Sequence, residues 1–470
     1  MSSSSPTQAS PPRKAYIVGV GSTKFQKPRG LVDYPELAVE AATKALLDAG
    51  LNYDDMEQAF AGYVYGDSTC GQRALYALGM TGIPILNVNN NCSTGSSALW
   101  LARQAVEYGI SECVMALGFE KMAPGSLGNA FSDREAPLSK TVGLMQDMEL
   151  FTTGPFAAQI FGNAADEYCK KNGSTWDHVA AIASKSHNHS RNNPYAQFQD
   201  PMTVEEVLKD KKVTKDLTRS MCCPTSDGAA CAIVCSESFL RVHGLENQAI
   251  EIVAQAHTTD SSKLFEDRSA VELAGMDMTR RAAKAVYEKS GVRPEEIQVI
   301  ELHDCFSANE LITYDGLGLC PPGKAHDIVE KGDNTYGGQW VINASGGLTG
   351  GKGHPLGATG LGMTFYLVNQ LRGWAGGMQD LRCLPGVKEK EGKRAYALAH
   401  NLGLGGSCVV TLLARPSFFA AEETNQGKKR EDGRDRLGYS FGDDCRPITT
   451  EDIGKVRSRK AFSPWAAARL

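Results

Sequence analysis

The run NVNNNCSTGSSAL, residues 87–99, puts Cys92 where an extended polar stretch gives way to a helix of small residues. Free amide hydrogens and the positive end of that helix favour a thiolate, so Cys92 reads as a nucleophile. Three further windows set unusual polar residues beside apolar runs. ELHDCFSANE (301–310) carries His303 and Cys305 two residues apart, on one side if the preceding strand persists. GGLTGGKGHPLGATG (346–360) holds His354 among seven glycines, just ahead of Pro355, whose fixed φ suits a first helical position. HNLGLGGS (400–407) joins the apolar runs AYALA and CVVTLLA. A thiol beside an imidazole is a recipe for acyl transfer, because the ring accepts the thiol proton during attack. A second thiol in the same cleft suits removal of a proton next to a carbonyl, provided a cationic or hydrogen-bonding neighbour tunes its pKa. The set points to a carbon–carbon bond made or broken through a thioester.

The elements that must position these residues read as α/β. Strand-to-loop junctions are where αβ proteins place their sites. ELAVEAATKALLDAGLNYDDMEQAFAGYV (36–64) and DMTRRAAKAVYEKSGVRPEEIQVIELHDCF (277–306) share one plan: helix, glycine cap at Gly50 or Gly291, polar turn, short acidic helix, strand. Later, STGSSALWLARQAV and HPLGATGLGMTFYLVNQL are both small-residue helix starts, so two similar units would bring two such starts to one cleft. AYIVGVGSTKF reads as a strand followed by a glycine turn. Residues 121–224 read as an inserted excursion, with DGAACAIVCS (227–236) as a buried strand returning to the core. Cys222, Cys223, Cys231 and Cys235 beside that return read as packing, and the HNH pattern at His187 and His189 as a solvated surface.

The 470 residues suffice for two or three domains, and a formal charge of −5 gives no basic excess of the kind nucleic acid attracts. Thirteen cysteines without a regular framework or paired CxxC sets fit free thiols in a reducing compartment and argue against structural zinc. No stretch approaches eighteen consecutive apolar residues, so integral membrane association is not expected.

Together the four windows resemble, in content and order, the thiolase family, specifically its sterol carrier protein X type; the resemblance spans roughly residues 14–416. It implies a five-layered αβαβα fold of two similar halves with an inserted loop domain. The expected organisation is a disordered N-terminus (1–13), a first half in two parts (14–120 and 225–265) around the inserted domain (121–224), a second half (266–416), and a polar extension (417–470). By the same resemblance Cys92 is acylated, His354 activates it, and His303 completes an oxyanion hole with His354. A second hole uses the backbone amides of Cys92 and Gly403. Ordinary thiolases carry their acid/base cysteine in a CxG motif of the last loop. This chain has HNLGLGG there, and its resemblance to the sterol carrier protein X type implies that the role passes to Cys305 of HDCF. No permanently bound cofactor or metal is expected; CoA and acyl-CoA are substrates, with their binding residues unassigned, and the family implies a homodimer.

Two other readings remain at this stage. A decarboxylating ketoacyl synthase-like enzyme would use Cys92 with His303 and His354 but would not need Cys305; a non-catalytic acyl-CoA or lipid-binding protein would leave Cys92 unlabelled by any acyl-CoA. The 54 residues after Pro416 are too few and too polar for the sterol-carrier module that relatives of this type can carry. The terminal Ala468-Arg469-Leu470 varies the SKL signal, pointing to a peroxisomal import receptor and to a peroxisome or related organelle such as a glycosome. A mitochondrial presequence is the rival address, because residues 1–32 contain no acid. Met122, Met145 and Met148 are candidates for lining an adaptable acyl channel.

Overall fold

Strands that are apolar at every position, such as GAACAIVCS, need cover on both faces, and both faces are covered here. In the strand Gly228–Ser236, Cys231, Ile233 and Cys235 face one core, while Ala230, Ala232 and Val234 face another. The computed structural model describes residues 12–28, 30, 32–123, 127–128, 131–419 and 445–465.

Ten strands form one hydrogen-bonded array. From its centre outward the first half contributes Ala15–Ser22, Gly228–Ser236, Cys113–Glu120, Gln58–Gly62 and Ile85–Val88. The second contributes Ile250–Thr258, Ser407–Ala414, Tyr396–Gly403, Val299–Leu302 and Val341–Ile342. In chain order within each half this is the same sequence twice: first, fifth, fourth, second, third. The pairing repeats too, with the inner contacts antiparallel and the outer two parallel. The halves meet where Ile17 opposes Ile250. Helices Tyr34–Ala49 and Met276–Ser290 pack on the two sheets from outside, and Thr94–Glu107 and Thr359–Arg372 pack on each other between them, giving the αβαβα layering.

The internal repeat is visible residue by residue. Gly50 and Gly291 end their helices at φ 66° and 70°, the left-handed conformation glycine adopts without strain. Single turns Tyr53–Asp55 and Pro294–Glu296 then lead into Gln58–Gly62 and Val299–Leu302. One expectation is corrected: the GVG of AYIVGVG lies inside the strand Ala15–Ser22, not in a turn. A Cβ on Gly19 or Gly21 would come within 2.3 Å of a carbonyl of helix Tyr34–Ala49, so the glycines admit that helix against the sheet. Because this strand is central, a cleaved leader reaching residue 32 would remove it.

The excursion after Glu120 contains helices Ser139–Asp147, Phe156–Asn172, Trp176–Ser190 and Val204–Lys209 and the hairpin Lys212–Thr214/Leu217–Thr218. It leaves the first half but packs on helix Ser307–Gly316 of the second. Phe161 stacks on Phe306 with ring centroids 5.0 Å apart, Tyr168 donates to Asp315, and Lys185 pairs with the buried Glu310. His187 and His189 correct a second expectation. Both are buried in this contact, His187 on the Ser220 carbonyl and His189 on the Asn343 carbonyl and the Thr335 hydroxyl.

Of the polar extension, residues 417–419 and 445–465 are described; against the first half, helix Thr450–Val456 packs on Tyr34–Ala49, Ser458 and Arg459 bond to Asp54, and Trp465 stacks on Tyr76. The charged stretch 421–438 and the terminal tripeptide lie outside the described residues. Among the described residues no helix is long and apolar enough to cross a membrane.

Candidate active site

Each half sends the loop after its third strand into the central layer. In the first half this loop carries Cys92, two residues before helix Thr94–Glu107; in the second it carries His354, five residues before helix Thr359–Arg372. A short turn from Pro355 to Ala358 separates the proline from the helix it was expected to open. The third element, HDCF, follows the strand Val299–Leu302. That strand stops before His303, so His303 and Cys305 lie in the turn into helix Ser307–Gly316 and not on one strand face. The sulfur of Cys92 and one ring nitrogen each of His303 and His354 lie within 4.8 Å of one another, and the two rings meet edge to face. All three residues are buried. These atoms are close enough to share a cation; the same spacing serves proton transfer to and from a sulfur.

Burial sets the protonation states. The Cys92 thiol is pushed from 9.0 up to about 12, with desolvation as the leading cause. A shift of that size corresponds to about 4 kcal/mol, whereas a helix terminus contributes about 0.3–1 kcal/mol. The thiolate expected at the helix start therefore gives way to a neutral thiol at rest. Burial also lowers His354 to about 3 and holds His303 well below the usual histidine range, so both rings are neutral. Thr359 donates its hydroxyl hydrogen to the Pro355 carbonyl at 2.9 Å and sits 2.6 Å from His354 Nδ1. The hydroxyl must accept from Nδ1–H, which leaves Nε2 of His354 with a lone pair. That Nε2 is buried and has no hydrogen-bond partner among the described residues.

Cys305 is buried, and its thiol is raised well above the ordinary value first by desolvation and then by Cys223 and Cys92, which lie within electrostatic reach. Cys223, expected to be packing, donates its backbone N–H to the Cys305 carbonyl at 2.9 Å, and Cys222 bridges Phe306. Asp304 accepts from Leu348 N at 2.7 Å and from Thr349 Oγ1 at 2.7 Å, so the HDCF turn holds the glycine-rich run that ends at His354. The run's glycines answer protein and not ligand: side chains at Gly350 or Gly351 would strike the backbone of Ser186 or Phe198.

The fourth window is mostly strand, since His400–Gly403 belong to Tyr396–Gly403 and only Leu404–Gly406 turn. Backbone amides of Cys92 itself and of Leu404 act on the Cys92 sulfur in the direction that favours the thiolate. Gly403 is needed for steric reasons, because a Cβ there would lie 2.4 Å from the Asn90 carbonyl and 2.9 Å from Ser93 Oγ. Asn91 Nδ2 reaches the Leu404 carbonyl at 2.9 Å and Ser93 Oγ meets Ser407 Oγ at 2.6 Å, so the Cys92 loop is bolted to this turn.

Residues 15–221 match the family described as thiolase, N-terminal domain, and residues 256–404 match thiolase C-terminal domain-like. The chain belongs to the thiolase family. It is 54% identical to sterol carrier protein 2 of Homo sapiens over 429 residues, covering 90% of this chain and 76% of that protein. It is 54% identical to the Gallus gallus sterol carrier protein 2 over 86% of this chain and 72% of that one. Acetyl-CoA acetyltransferase of Methanothermobacter thermautotrophicus is 30% identical over 86% of this chain and its own full length. Among solved structures, human mitochondrial 3-ketoacyl-CoA thiolase shares the fold with a TM-score of 0.61 at 18% identity over 85% of this chain and 98% of that chain.

Within this thiolase fold, several residues that shape the site escaped the sequence reading. Glu120, at the end of the fourth strand of the first half, is buried and accepts from the amides of Val64, Tyr65 and Gly357. It thereby anchors the loop that carries His354. Asn401 and Asp304 stood inside the HNLG and HDCF windows beside the residues singled out; Glu120 stood in GFEKM with no signal of its own. Met122 packs with Cys92 and Leu356, whereas Met145 is fully buried in the large core and Met148 lies against it.

Proposed function

We propose that this thiolase moves an acyl group from a 3-oxoacyl-CoA to CoA through a Cys92 acyl-enzyme, releasing acetyl-CoA, and that it runs the reverse Claisen condensation with the same groups. The observation that carries the proposal is the buried trio of Cys92, His303 and His354 with a second thiol, Cys305, in electrostatic reach. In the cleavage direction the Cys92 thiol gives its proton to Nε2 of His354 and attacks C3. The C2–C3 bond breaks, and the departing acetyl-CoA enolate takes the proton of Cys305. A thiol whose pKa is raised by burial is in the right state for that step. CoA then enters, gives its thiol proton to Cys305, and attacks the acyl-Cys92 carbonyl; Cys92 leaves and recovers its proton from His354. The oxygen charge that develops is met by His303 and His354 on one side. On the other it meets the backbone amides of Cys92 and Gly403.

A ketoacyl synthase-like reaction would use the Cys-His-His trio alone, and the placement of Cys305 favours the thiolase reading over it. The strand Ile85–Val88 ends the sheet with Leu86 43% exposed, which supports pairing with a second copy in a homodimer. The terminal Ala468-Arg469-Leu470 supports engagement of a peroxisomal import receptor and residence in a peroxisome or related organelle. The test is CoA-dependent cleavage of a panel of straight, branched and sterol-side-chain 3-oxoacyl-CoAs by the purified protein. Release of acetyl-CoA from at least one is expected. Cleavage of none, or turnover of a malonyl thioester without acetyl-CoA release, overturns the reading.

A further inference from the structure

The neutral His303 ring carries one proton, and which nitrogen holds it decides whether the ring can stabilise an anion. The answer lies with a residue so far unassigned. Asn401 Nδ2 is 3.1 Å from the Cys92 carbonyl oxygen and 3.1 Å from His303 Nδ1. A carbonyl only accepts, so the atom facing it is the amide nitrogen, and its second hydrogen is directed at His303 Nδ1. Nδ1 must then accept, and the ring proton is forced onto Nε2.

The surroundings leave His303 little alternative. The ring is fully buried, and burial with the neighbouring His354, His400 and Lys352 disfavours a second proton on it. Placing the proton on Nδ1 would set two N–H groups against each other at 3.1 Å with no water to separate them. Asn309 holds the backbone of the same residue in place by donating to the His303 carbonyl. Nε2 of His303 has no hydrogen-bond partner among the described residues, and neither does Nε2 of His354. The first is a donor and the second, before attack, an acceptor: two neutral histidines of opposite polarity aimed into one small space.

We infer that Asn401 is a positioning residue that selects the Nε2–H tautomer of His303 and, through the Cys92 carbonyl, ties that tautomer to the nucleophile's loop. The inference rests on the thiolase reading above and adds to it a division of labour. His354 enters the cycle as base, whereas His303 is a fixed hydrogen-bond donor to the enolate oxygen throughout. Asn401 touches no reacting atom. Its effect is confined to steps in which an enolate exists, and it acts only while His303 is present.

Two measurements test this. In wild-type protein labelled with ¹⁵N-histidine, the His303 resonances, assigned by loss in His303→Ala, are expected to show a protonated Nε2 and an unprotonated Nδ1; a proton on Nδ1 overturns the inference. The second is a double-mutant cycle on solvent exchange of the C2 protons of acetyl-CoA, a reaction that passes through the enolate. Asn401→Ala is expected to slow exchange by about 10²–10³-fold, the size of losing one oxyanion donor, and to slow transfer of an acyl group from acyl-CoA to Cys92 by less than about tenfold. In a His303→Ala background the same change should cost exchange no more than about threefold further. Equal losses in both reactions, or full additivity with His303→Ala, would show a merely structural role and overturn the proposal. If wild-type protein performs neither exchange nor cleavage, the thiolase reading fails instead, whatever the ring tautomer.

Discussion

The two halves of this molecule are built from one strand order and one set of helices, and they divide the chemistry unequally. After the third strand, the first half offers Cys92 and the second His354. After the second strand, the second half offers His303 and Cys305, whereas the first offers Tyr63, Val64 and Tyr65, which pack or bond to Glu120. At the end of the fourth strand, the second half offers Asn401 and Gly403; the first ends in Glu120, whose carboxylate braces the His354 loop. A duplicated scaffold thus keeps one reactive group in its first half and turns the remaining positions there into struts. On the function proposed above, the second half supplies the base, the acid and the anion-binding ring.

That comparison breaks most visibly at its centre. Replacing Cys92 with alanine removes the acyl carrier and should lower turnover by about 10⁴-fold or more; His354→Ala, its counterpart in the other half, should lose about 10²–10⁴-fold as a general base. Steady-state assays with a good 3-oxoacyl-CoA distinguish these. A silent Cys92→Ala would mean the halves do not divide the work as described.

The struts should give a smaller, different response. Glu120→Gln turns an amide NH₂ toward amide donors of Val64, Tyr65 or Gly357 and should cost about 1–3 kcal/mol of stability. Thermal or denaturant unfolding measures it, and unchanged stability would deprive Glu120 of the bracing role. The mildest probe is alkylation. With its pKa near 12, the Cys92 thiol should react with iodoacetamide about tenfold faster per pH unit from about pH 7 to 10, without levelling off. A plateau below about pH 8, with peptide mass analysis locating the label on Cys92, would mean the helix terminus overcomes burial after all.

Much of this was legible because local rules and global topology agree. Gly50 and Gly291 cap matched helices, and the small-residue starts at Thr94 and Thr359 become the central pair. What the sequence concealed was set by burial and by contacts between residues distant in the chain. The charge state of Cys92 depends on desolvation, which a motif does not display. His187 and His189 look solvated in a polar run, yet their partners at Ser220, Asn343 and Thr335 arrive from elsewhere in the chain. Asn401 reads as one more polar residue in a glycine loop until the fold brings it between Cys92 and His303.

The central claim, that a nucleophile from one half works with an acid thiol from the other, is tested most directly by separating the half-reactions in Cys305→Ala. Mass spectrometry should find the acyl group of a simple acyl-CoA on Cys92 of that variant, while CoA-dependent cleavage of a 3-oxoacyl-CoA falls by about 10²–10⁴-fold. Undiminished cleavage in Cys305→Ala, or no acyl group on Cys92, would contradict the account.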